Sequence, residues 1–230
     1  MKNAFSTDSE DAKAVFQAVR LLLVMAAGIV VLFFIFWLDA VSPCPFSELA
    51  PTELSQTCVL LISAILFFIE AVKRPDMRGA LVLTGGLVAC MLIREQDYFL
   101  DFLQHGVWKW PALVMAFLCV AISLARFRSL LSELAHLARW RYLSILITGL
   151  VIVLVYSRLL GMGMLWKQLL PSNDAQWLAK QASEEAGELL GYFLILLSAC
   201  LMRFERKRGE RVQASENKKR DTVHSSSIIL

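Results

Sequence analysis

Apolar positions in this chain fall into long unbroken runs, and nearly every charge lies in the short stretches between them. Val19 to Leu38 carries only Arg20, at its start, over about the 20 residues that a membrane-crossing helix needs. Thr57 to Val72 closes on Glu70 and Lys73-Arg74-Pro75, and Gly79 to Ile93 is uncharged but short. The third run reaches spanning length only by continuing into Arg94-Glu95-Gln96-Asp97. Trp108-Lys109-Trp110-Pro111 reads as an interfacial aromatic belt, with Pro111 suited to a first helical turn, and opens the run that ends at Ala125. Tyr142 to Leu160 is interrupted by Arg158 alone, and the last run covers Glu184 to Met202. The pattern predicts an all-α, polytopic six-helix transmembrane bundle with spans near 19–38, 57–72, 79–98, 110–125, 142–160 and 184–202.

The connecting segments complete this division. Residues 1–18 are polar and mildly acidic, and no signal-peptide pattern is present. The segment 126–142 is basic, with Leu130, Leu131, Leu134 and Leu137 at helical spacing along an interface. Residues 173–183 are expected to form a helix leading into the last span, and 204–230 to form a basic, unfolded tail.

Lysine and arginine give the orientation. With the N-terminus inside, eighteen of the 23 fall in inner segments and five (Arg94, Lys109, Arg158, Lys167 and Lys180) outside. That bias alternates through every loop and predicts both termini on the cytoplasmic side, in a bacterial cytoplasmic (inner) membrane. Composition agrees: 57% of residues are hydrophobic, and mean hydropathy is +0.59. Typical soluble domains are about 45–50% apolar. The formal charge of +3 adds little, and no basic groove with interleaved aromatics suggests nucleic acid. Among the five cysteines there is no CxxC pair. Cys44 and Cys58 flank one outward-facing loop and are a candidate disulfide, whereas Cys90, Cys119 and Cys200 read as small hydrophobes.

Ionisable residues inside hydrocarbon cost free energy and mark sites worth examining. Counted outward from each inner basic marker, Arg94, Glu95, Asp97, Arg158, Glu184, Glu185 and Glu188 all lie about 22–29 Å deep, just under the outer interface. Arg94, Asp97, Asp101 and His105 share a face if the third helix continues past Tyr98. Glu184, Glu188 and Tyr192 share another, beside a Ser183, Gly187, Gly191 stripe that admits a close neighbour, whether within the chain, in a homo-oligomer or on a membrane partner.

Two arginines do not neutralise Glu95, Asp97, Asp101, Glu184, Glu185 and Glu188 together, so the remainder calls for a cation, a shared proton or water. Asp97, Asp101, His105, Glu184 and Glu188 would suit a divalent cation such as magnesium, manganese or calcium. The leading expectation is an outward-facing site that binds or transports a proton, a cation or a cationic solute. The alternatives are a membrane-embedded, metal-dependent hydrolase or transferase acting on lipid, and a structural or accessory subunit. Glu70, beside Lys73 and Arg74, reads as an ordinary ion pair within one helix.

Overall fold

The computed structural model describes residues 2–43, 47, 50–101, 106–125 and 127–227, and those residues are helical throughout, with turns between helices and no strand. The helices are α1 (Lys2–Ala40), α2 (Pro51–Lys73), α3 (Arg78–Glu95), α4 (Asp97–Asp101), α5 (Lys109–Leu124), α6 (Phe127–Ala138), α7 (Leu143–Val151), α8 (Ser157–Leu160), α9 (Gly163–Leu169) and α10 (Asn173–Ser227). A single π turn, Ile152–Tyr156, joins α7 to α8 and ends directly before Ser157 and Arg158. Four helices are long and apolar enough to cross a membrane, or five if the bent pair formed by α5 and α6 is one span. Helix α3 falls outside that set because its 18 residues include Arg78, Arg94 and Glu95. Large apolar side chains are exposed around α1, among them Leu22, Val30, Phe33 and Trp37, a surface compatible with a membrane-spanning helix.

The chain divides into two compact units, one of residues 1–55 with 157–190 and one of 56–156 with 191–230. In the first, Pro51 stands at the start of α2, where its missing N–H costs nothing. The buried carboxylate of Asp39 accepts from the Thr52 N–H at 3.3 Å, supplying the opposite charge to that end of the helix dipole.

The second unit holds the hydrophobic core, with Leu60, Phe67, Leu81, Val88, Leu146, Val153, Tyr192 and Ile195 packed together. Within it, α7 and α10 approach each other closely. A Cβ on Gly149 would stand 2.8 Å from the Gly191 carbonyl oxygen and 3.0 Å from Ile195, and one on Gly191 would strike Val153. Gly191 of the small-residue stripe is therefore filled by the chain's own fifth run. At the start of α3, Gly79 is held from two sides: its N–H donates to Glu133 of α6, and its carbonyl accepts from Ser123 of α5 at 3.1 Å.

Four features differ from the sequence expectation. Helix α3 ends at Glu95 and does not run on to Tyr98, because Gln96 leaves helical geometry and its side-chain amide donates to Thr57 Oγ1 at 2.8 Å. Helix α10 continues beyond the last apolar run, through a segment expected to be unfolded, to Ser227. That segment is rich in Glu, Lys and Arg, contains no proline and begins with anchored residues. Trp140 Nε1 donates to Glu205 at 2.7 Å, and Arg206 forks onto Glu70 at 2.8 and 3.1 Å. Glu70 also pairs with Arg74 at 3.7 Å, so its expected local partner is joined by a second arginine from far along the chain. Cys58 carries a free thiol on an exposed face of α2. Cys44, its expected disulfide partner, lies outside the described residues.

Two outcomes follow for stability. Gly149→Leu should lower thermal stability in detergent by about 1–3 kcal/mol, because the carbonyl it meets has no rotamer to change. Gly209→Ala, where a methyl meets nothing within 4 Å, should leave stability unchanged or slightly higher. Glu70→Leu alone should cost about 3–5 kcal/mol by taking the buried carboxylate from Arg206 and leaving it the exposed Glu210, and adding Arg206→Leu should recover much of that loss. A double-variant unfolding series measures both.

Candidate functional site

Within the first unit, the ionisable residues converge at the join of α8 and α10. Glu184 and Glu188 stand one turn apart on α10 and project in the same direction. Arg158, on α8, bridges them: Nη1 donates to Glu184 Oε1 at 2.7 Å and Nη2 donates to Glu188 Oε1. The three side chains are unequally sheltered. Glu188 is 4% exposed, Glu184 19% and Arg158 41%, so the pair has a dry carboxylate and a wetter one. Glu185, also buried, accepts from Gln181 Nε2 at 3.2 Å on the adjoining face of the same helix.

Small residues make this geometry attainable. A Cβ on Gly161 would fall 2.6 Å from Glu184 Oε2, so the turn after α8 must be glycine for the carboxylate to lie there. Gly187 faces Ser157, which would sit 3.3 Å from an added Cβ and is itself fully buried. The stripe that borders the glutamates thus receives the segment that carries their arginine. The π turn immediately before Ser157 adds a residue to the helical repeat, a distortion found often beside functional groups.

Within the second unit, Glu95 is the focus of a separate cluster. Its side chain is 5% exposed and accepts from Arg94 Nη2, its neighbour in sequence. The hydroxyl of the fully buried Tyr192 donates to Glu95 Oε1 at 2.7 Å. Tyr192 therefore belongs with Glu95, whereas its sequence spacing groups it with Glu184 and Glu188.

The remaining candidates are placed differently. Asp97 is exposed on α4, and the break at Gln96 removes it from the face that carries Arg94. The Asp101 side chain and His105 lie outside the described residues. Among the described residues, no three histidine, cysteine, aspartate or glutamate side chains come together as a metal-binding group. Two buried carboxylates escaped the sequence reading altogether: Asp39, near the end of α1 and bonded to the start of α2, and Glu133, which accepts from Ser129 at 2.8 Å as well as from Gly79. Each is a solitary acid beside basic or proline-rich sequence, and only its burial distinguishes it from a solvated charge.

Tyr192→Phe should remove a donor from a dry carboxylate and cost about 1–3 kcal/mol of stability. Glu184→Gln should be better tolerated than Glu188→Gln, following their exposures. Thermal unfolding of the purified variants measures both orders.

Comparison with family models, with curated proteins and with solved structures finds no match to this chain.

Proposed function

We propose that this chain is a six-span cytoplasmic-membrane protein, with both termini inside, whose Arg158, Glu184 and Glu188 form a proton- or cation-binding site near the outer interface. The alternation of basic loops supports the orientation, and α3 supplies the additional span despite its terminal charges. Fusions of phosphatase and fluorescent reporters after each helix test it. Phosphatase activity is expected only in the segments 39–56, 94–109 and 161–183.

The observation that carries the functional reading is the sharing of one guanidinium by two carboxylates. The three side chains together carry a formal charge of −1, which one bound proton or another single positive charge would balance with little rearrangement. Glu188 is the sheltered holder and Glu184 the entry from the wetter side. Arg158, the most exposed of the three, fixes the distance between them.

Infrared titration of the reconstituted protein should reveal a carboxyl band that is lost in Glu188→Gln. Proteoliposomes with entrapped pyranine should then show proton movement, or ethidium movement coupled to it, that is abolished in the same variant. A folded Glu188→Gln protein with an unchanged carboxyl spectrum and unchanged fluxes would overturn the reading. It would leave the pair as a fixed tie between α8 and α10.

A further inference from the structure

Helix α6 is an unusual element for a membrane bundle, because it turns 104° away from α5 rather than continuing or reversing it. If α5 crosses the bilayer, α6 lies nearly in the membrane plane. Its residues divide into three sectors around the helix. Glu133 and Leu137 are buried, 2% and 7% exposed, and fasten α6 to the protein, Glu133 through Gly79 at the start of α3 and Leu137 in the hydrophobic core. Leu131 and Leu134, 79% and 40% exposed, form an apolar sector that the described protein leaves open. Arg128, Ser132 and His136 are exposed on the third side, and Arg139 and Arg141 are exposed just past the helix end.

An element with one face on protein, one apolar and one basic has the composition of an interfacial helix, whose apolar face enters the acyl boundary while its cations remain among headgroups. The basic residues decide which lipid surface it fits. Arg128 precedes the leucines by about one turn and Arg139 follows them by about one turn or slightly more, so guanidinium groups flank the apolar patch at both ends. Arg141 also stacks over Tyr142, its charge centre 5.4 Å from the ring centroid, which keeps that cation near an amphipathic ring suited to the interface.

From this arrangement we infer that α6 is a binding surface for anionic phospholipid, with Leu131 and Leu134 among the acyl chains and Arg128 and Arg139 on the phosphates. The inference depends on α5 crossing the membrane and is independent of the carboxylate site. Because Glu133 also caps α3, lipid bound here restrains the start of that helix.

The test is thermal unfolding of the full-length chain in neutral detergent, titrated with phosphatidylglycerol, with phosphatidylcholine or with glycerol 3-phosphate. Phosphatidylglycerol should stabilise saturably and the other two should not. Arg128→Gln with Arg139→Gln should weaken the apparent affinity on the order of tenfold or more while leaving lipid-free stability unchanged. Leu131→Ser, which alters no charge, should weaken it as well, and this separates a lipid from a free phosphate. Equal stabilisation by phosphatidylcholine or by glycerol 3-phosphate would overturn the proposal. So would an unchanged titration in the arginine variant, or loss of the effect in Arg208→Gln with Arg211→Gln instead.

Discussion

A carboxylate withdrawn from water must meet a donor or surrender its charge, and this constraint organises the molecule. The charged residues that are buried among the described ones are all acids: Asp39, Glu70, Glu133, Glu185 and Glu188. No lysine or arginine falls in that set, although the Arg206 side chain comes close at 10% exposed, drawn inward by Glu70. Each buried acid is met by a specific donor. Backbone N–H groups at helix starts receive Asp39 and Glu133, arginines receive Glu70 and Glu188, and an amide receives Glu185. These contacts fix register and helix ends in a medium where apolar packing alone discriminates weakly between neighbours.

Much of this was legible from the order of residues. Run length and the placement of Lys and Arg lead to an all-helical membrane chain, and the small-residue stripe at Gly187 and Gly191 leads to close approach by another helix. Helical spacing brings Glu184 and Glu188 together, and Arg158 stands out as the only charge in its run. The break at Gln96 was less accessible. Nothing in Arg94-Glu95-Gln96-Asp97 forbids a helix, and the turn depends on a tertiary bond to Thr57 that is 39 positions away in sequence. Extension of α10 through its basic segment was also hidden, because composition alone does not reveal that Trp140 and Glu70 anchor Glu205 and Arg206.

Solitary acids were the least visible. Glu133 sits in a basic, amphipathic helix where a single carboxylate reads as a solvated charge, yet it holds α3 at Gly79 and is almost completely buried. Its role follows from the 104° bend between α5 and α6, which turns one face of α6 toward the start of α3. Helical periodicity identifies a face but not the neighbour that covers it. Leu130 and Leu131 illustrate this, since adjacent leucines of equal hydrophobicity differ in exposure once α6 is in place.

Two arginine–carboxylate sites involve α10, one in each unit, and their charges balance differently. In the second unit, Glu70 is approached by Arg206 and by Arg74, and Arg206 also reaches Glu210, so two acids meet two cations. In the first unit, Arg158 is divided between Glu184 and Glu188, so one cation meets two acids. The arrangement at Glu70 is balanced in charge and ties α2 to α10. The one at Arg158 leaves a formal charge of −1 over its three side chains. Both are buried or half-buried ion pairs by any contact criterion, and a count of salt bridges would not separate them. Charge ratio and unequal burial do, and they are the reason the proposed binding site is assigned to Glu184 and Glu188 and not to Glu70.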